Sequence, residues 1–191
     1  MFNHFTNAQL IIAAAVLAMV AFAVGEYLRR RKARTAAFRN RFGTEYDRAV
    51  LEHGSSRKVE GNLAGRESRV HALKIRELGA PARERFAAEW QTVQARFLDH
   101  PGAAVTQADE LIASLLEARG YPKDSFDQRA ADVSVTYPRV MENYRTAHAI
   151  AVRTQGIEAS TEEFRTAMIQ FRAIFEELVQ VQNPQEIRSA A

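Results

Sequence analysis

LIIAAAVLAMVAFAV, Leu10 to Val24, is apolar at all 15 positions, and Gly25-Glu26-Tyr27-Leu28 separates it from Arg29, Arg30, Arg31, Lys32 and then Arg34. Counting outward from Ala8 to Leu28 brings in only Gln9, Gly25 and Glu26 as non-apolar positions. At about 1.5 Å of rise per residue, a helix of that extent covers about 30 Å, the thickness of one hydrocarbon core. Eight of the central residues are Leu, Ile, Val or Phe and six are Ala. The first group contributes roughly −2 to −5 kcal/mol to insertion and the alanines little, so a span is favourable without a large margin. Glu26 lies near the end of the stretch, where a charge is cheaper than at the centre, and Phe2, Phe5 and Tyr27 lie where interfacial aromatics are expected.

The order of apolar run and charge separates a span from its competitors. A cleaved export signal carries its positive charge before the apolar run and a small-residue site after it, whereas here no Lys or Arg precedes Arg29. A core helix of a soluble domain is also apolar all round, but it gives no reason for a basic block at one end only. The expected organisation is therefore a transmembrane anchor over 1–28, a basic juxtamembrane stalk over 29–43, a helical domain over 44–182 and a tail over 183–191. The positive-inside bias puts the N-terminus outside and the larger domain in the cytoplasm, beneath the plasma membrane.

The formal charge of +3 divides unevenly. Residues 29–58 hold ten Lys or Arg against Glu45, Asp47 and Glu52, while residues 59–191 hold sixteen basic and nineteen acidic side chains. The distal domain is thus mildly acidic, which disfavours nucleic acid as its partner, since phosphate contact calls for a basic face. Without cysteine there is no disulfide framework, thiolate metal site or cysteine nucleophile.

Beyond the stalk every periodic segment is helical. Thr44 with Asp47 predicts a capped helix that ends at Gly54, and Val59, Leu63, Val70 and Leu73 carry a helical pattern over 55–76 that a break near Gly61 and Gly65 is expected to interrupt. Pro81 starts a helix in which Phe86, Trp90, Val93 and Phe97 fall within about 60° of arc at 100° per residue. Pro101 opens the next helix, with Val105, Ala108, Ile112, Leu115 and Leu116 on one face and Gly120 as its left-handed stop. Ser125 caps a short helix carrying Phe126, Ala130 and Val133, and Tyr137-Pro138 closes it. Val140, Tyr144, Ala147 and Ala151 mark the buried side of a helix running to about Gln155. Ser160 with Glu163 forms a capping box ahead of Phe164, Met168, Phe171, Phe175 and Leu178, and Asn183-Pro184 ends that helix. No segment alternates in the manner of a strand. The expected fold is all-α: one transmembrane helix, then an irregular soluble bundle of about six helices.

Arg41-Phe42-Gly43-Thr44-Glu45-Tyr46-Asp47, the stretch from Arg85 to Ile112 and that from Asn143 to Ile150 resemble an uncharacterised bacterial family that pairs a hydrophobic N-terminal segment with a helical domain of this size. The resemblance implies a bacterial source and a helical fold, and carries no catalytic residue with it.

The chemistry-bearing residues form no catalytic or metal-binding pattern. The histidines, His4, His53, His71, His100 and His148, include no Glu-x-x-His pair, so neither metal nor cofactor is expected. Asp109-Glu110, Glu162-Glu163 and Glu176-Glu177 are neighbours pointing about 100° apart on a helix, which reads as solvated surface. His148, at the edge of the buried face, reads first as a boundary histidine bonded to a neighbouring helix. The leading expectation is a non-catalytic interaction or scaffold module with an unknown protein partner, anchored in the membrane. In it Arg29, Arg30, Arg31, Lys32 and Arg34 meet the membrane surface, and each would add about 1 kcal/mol against anionic head groups. The alternative is a ligand-sensing or lipid-binding bundle with an apolar pocket near Trp90, to which Tyr144 and His148 would contribute. An enzyme would need Glu142, Tyr144 and His148 to meet in a cleft with groups from other helices.

Overall fold

The computed structural model describes residues 7–153 and 159–180. Phe2, His4 and Phe5, the helix end anticipated near Gln155, and the stop at Asn183-Pro184 with its tail lie outside the described residues. The chain divides into two compact units, Met1–Arg41 and Phe42–Ala191. Among the described residues it is all-α, with eight α-helices, one short 3-10 turn and no strand.

The first unit is formed by α1, Asn7–Phe42. Its 36 residues correspond to about 54 Å of helix, so the segment 29–41 continues the apolar run without a break. None of its apolar window is buried against protein, and Leu17, Met19 and Phe22 are all exposed. A soluble core helix would have these side chains covered. This is one helix long and apolar enough to cross a membrane.

The second unit contains α2 (Thr44–His53), α3 (Ser56–Ala72), α4 (Ala80–Arg96), α5 (Pro101–Ala118), α6 (Phe126–Thr136), the 3-10 turn Pro138–Val140, α7 (Met141–Arg153) and α8 (Thr161–Gln180). That makes seven helices where about six were expected. The core gathers around α5, which packs against α4, α7 and α8. Its buried face holds Ala104, Val105, Ala108, Leu111, Ile112, Leu115 and Leu116, and the stripes of α4 (Phe86, Trp90, Val93) and α8 (Met168, Phe171, Phe175, Leu178) close on it. On the flank, α3 lies against α6, and α2 bridges α3 and α7.

Local sequence sets most of the helix boundaries. Pro81 and Pro101 sit in first turns. The Ser125 hydroxyl accepts from the Gln128 amide, and Ser160 and Glu163 exchange both bonds of a capping box. Gly54 adopts φ 67° as the C-cap of α2 and returns its amide to the Val50 carbonyl. Gly120, at φ 97°, is constrained twice over, because a Cβ there would also lie 2.5 Å from the Lys74 carbonyl oxygen.

Three local expectations change. Thr44 is the first helical residue of α2 and does not cap it; Gly43, at φ 52°, holds the cap position without a side-chain bond. The break near Gly61 and Gly65 is absent, and α3 runs straight through both. Each glycine costs about 1 kcal/mol relative to Ala, whereas burying Val59, Leu63 and Val70 returns about 1.5 to 3 kcal/mol apiece. The helix stops at Ala72, and Leu73 turns into an extended strap over 73–79. There the Arg76 amide donates to the Arg119 carbonyl (2.8 Å) and its Nε to that of Ala118 (3.1 Å).

Candidate functional site

The basic collar lies on α1. Four consecutive cationic residues at 100° intervals, Arg29 to Lys32, surround the helix on all sides, and Arg34 follows about half a turn beyond Lys32. Glu26 is the carboxylate of this segment, and both its oxygens are engaged, Oε2 by Arg29 Nη2 at 2.7 Å and Oε1 by Arg30 Nε at 2.8 Å. These i,i+3 and i,i+4 pairs neutralise the charge nearest the apolar run. The Arg34 guanidinium lies 5.7 Å from the Phe38 ring, a cation–π distance.

In the bundle, Tyr144 and His148 come together one turn apart on α7, facing α5 and α6. His148 Nδ1 is 2.8 Å from Asp109 Oδ2 of α5, and its ring stacks on Phe126 of α6 at 3.5 Å between centroids and 7° between planes. Phe126 meets Tyr144 edge to face at 5.0 Å, and the Tyr144 hydroxyl accepts from Arg129 Nε at 3.1 Å. Burial pushes the Tyr144 phenol up to about 12; the Arg129 charge and hydrogen bond pull it down, and Asp109 pushes it further up. The phenol is therefore neutral at physiological pH. Asp109 thus faces inward where the Asp109-Glu110 pair read as solvated surface, and its Oδ1 has no partner among the described residues.

Trp90 takes a different neighbour. Its indole stacks on Phe175 of α8 at 4.8 Å and 13°, within the aromatic stripes of α4 and α8. An open groove of about 280 Å³ does run between α4 and α5, but it is lined by Glu89, Thr92, Gln107, Glu110 and Ser114 beside Val93 and Leu111. Trp90, Tyr144 and His148 are not among its walls. Glu142 points into solvent.

A second polar cluster ties the flank to the core. Arg145 of α7 makes a bidentate pair with Glu45 of α2 (3.2 and 3.1 Å), and Arg69 of α3 grips Asp132 of α6 at 2.9 and 2.5 Å, with Gln128 Nε2 adding a third bond at 3.1 Å. Arg66 lies half-buried in the same field. Burial lowers its pKa first, Glu45 and Asp132 raise it, and the Arg145 and Arg69 charges lower it. Three guanidinium groups here share two carboxylates.

Arg129, Asp132 and Arg145 were not singled out from sequence; Asp109 was read as solvated surface, Phe126 only as a position of its helix, and Glu45 only as a charge within the stretch 41–47. One usable signal existed: Asp132 sits inside Ala130-Ala131-Asp132-Val133-Ser134-Val135, where an acidic residue in a buried run needs a cation. Among the described residues, no group of three or more His, Asp or Glu is placed to hold a metal ion. No family model, curated protein or solved structure matches this chain.

Proposed function

We propose that this chain is a single-pass membrane protein, N-terminus outside, whose cytoplasmic helical bundle is a non-catalytic interaction module held at the plasma membrane. The observation that carries the reading is α1, which leaves its apolar window uncovered and follows it at once with the ring of Arg29 to Lys32. The positive-inside bias then gives the orientation. The bundle supports the second half of the reading, because three pairs of its polar side chains are committed to one another across helices. Arg145 holds Glu45, Arg69 holds Asp132 and His148 holds Asp109, arrangements that fasten helices together.

The absence of cysteine makes the orientation directly measurable. Asn3→Cys is expected to react with a membrane-impermeant maleimide in intact cells, and Ser68→Cys, at an exposed position of α3, only after permeabilisation. The opposite pattern refutes the orientation, and release of the chain by alkaline carbonate refutes the membrane reading. For the interaction module, photocrosslinkers at the exposed Leu51, Leu98 and Ile169 are expected to give one discrete adduct in membranes from at least one position. A uniform smear from all three refutes it.

A further inference from the structure

Arg119, at the C-terminal end of α5, is 1% exposed and is among the largest fully buried side chains of the described residues. Its Nη1 donates to the Leu178 carbonyl in the last turn of α8 at 2.5 Å, and its guanidinium lies 5.6 Å from the ring of Tyr137, the residue that closes α6. The carbonyl and the ring face offset only part of a full positive charge. Nε and Nη2 have no acceptor among the described residues. Neither does the hydroxyl of Tyr137, itself 3% exposed, find a partner there. No carboxylate pairs with Arg119 among the described residues, and Glu177, whose charge Tyr137 senses, is exposed to solvent.

Three unpartnered polar groups on two buried, adjacent side chains are unusual, because each unmet donor forfeits its bonds to water and a guanidinium stays charged at any working pH. The main chain around Arg119 is closely packed. The strap 73–79 is bonded to the Arg119 and Ala118 carbonyls through Arg76, and Gly120 brings the Lys74 carbonyl to within the space a Cβ would need. A water molecule could accept from these donors, but it brings two protons of its own and leaves the charge uncompensated. A halide accepts from every donor offered and cancels the charge. The burial of both side chains excludes large polyatomic anions.

We propose that Arg119 and Tyr137 hold a small monovalent inorganic anion, chloride, in an internal site between the C-terminal ends of α5, α6 and α8. Occupied, the site fastens α8 and α6 to the end of α5, so the bundle is more stable wherever chloride is present.

The test uses the full chain in non-ionic detergent, with thermal unfolding followed by the fluorescence of its single tryptophan. Sodium chloride is compared with sodium gluconate at equal ionic strength. In chloride the midpoint is expected to rise by about 3 to 5 °C for each tenfold increase above the dissociation constant, and not at all in gluconate. Tyr137→Phe keeps the ring and removes one donor, so the rise should begin at several-fold higher chloride. Arg119→Met should abolish the response. Equal midpoints in the two salts, or a chloride response unchanged by Tyr137→Phe, overturn the proposal and assign the spot to a buried water or the response to chloride bound elsewhere.

Discussion

The pair Glu45 and Arg145 offers a sharp quantitative test, because its two halves should not be equivalent. Both are largely buried, at 6% and 17% side-chain exposure, and they bind bidentately across 100 residues of sequence. Removing one partner of such a pair ordinarily costs about 3 to 5 kcal/mol, since the other is left as an uncompensated buried charge. Here the two truncations leave different fields. Arg145→Met leaves Glu45 beside Arg66, whose guanidinium already senses that carboxylate, so the cost should fall to about 1 to 3 kcal/mol. Glu45→Gln leaves Arg145 and Arg66 facing each other with Arg69 nearby and Asp132 already taken, so it should cost the full 3 to 5 kcal/mol or so. The double variant should be less destabilised than the sum by about 1.5 kcal/mol or more. Urea unfolding of the full chain in detergent, read at Trp90, measures all three; urea avoids the screening that guanidinium chloride introduces. An Arg145→Met cost equal to or above that of Glu45→Gln, or a coupling under about 0.5 kcal/mol, would refute the shared-field account.

Three further outcomes follow from single positions. Gly120→Ala, at φ 97° and facing the Lys74 carbonyl, should cost more than about 2 kcal/mol, while Gly61→Ala and Gly65→Ala, with open space around each, should each stabilise by about 0.5 to 1 kcal/mol in the same urea assay. Phe171→Ala empties the middle of the α8 stripe and should cost about 3 to 5 kcal/mol, visible as a lowered urea midpoint. The folded-state pKa of Tyr144, about 12, stands above its ordinary value near 10. Its contribution is therefore complete below pH 10 and disappears as pH rises toward 12, at about 1.4 kcal/mol per unit of separation. Stability measured from pH 9 to 12 should fall less steeply in Tyr144→Phe, and superimposable curves would show that the phenol is not held neutral by the fold.

The legible parts of this fold are those coded within a few residues. Pro81, Pro101, Gly54, Gly120, Ser125 and the Ser160/Glu163 box mark helix ends because a proline, a left-handed glycine or a capping hydroxyl acts on its own turn. The stripes at Phe86 and Phe164 were legible for the same reason, since periodicity is local. The break expected at Gly61 and Gly65 failed because propensity is weaker than burial: the α3 glycines are exposed, and Val59, Leu63 and Val70 hold the helix from its other face. Thr44 failed as a cap because Gly43 could take a positive φ that threonine could not take cheaply.

The polar partnerships were illegible for a different reason. Asp109 finds His148 at a separation of 39, Arg69 finds Asp132 at 63, and Glu45 finds Arg145 at 100. No local period encodes such distances, and apolar stripes do not supply them, because Leu, Val and Phe faces accept one another in many arrangements. A bidentate guanidinium–carboxylate pair is satisfied in one arrangement only, and a bundle assembled wrongly would bury its charges unpaired. These pairs connect α5 to α7, α3 to α6 and α2 to α7, the contacts that separate this bundle from other packings of the same helices. On this argument their larger role is to select the arrangement, with net stability secondary. Replacing Glu45 and Arg145 together by apolar residues of similar volume should then cost little in urea but broaden the unfolding transition, as competing packings become populated.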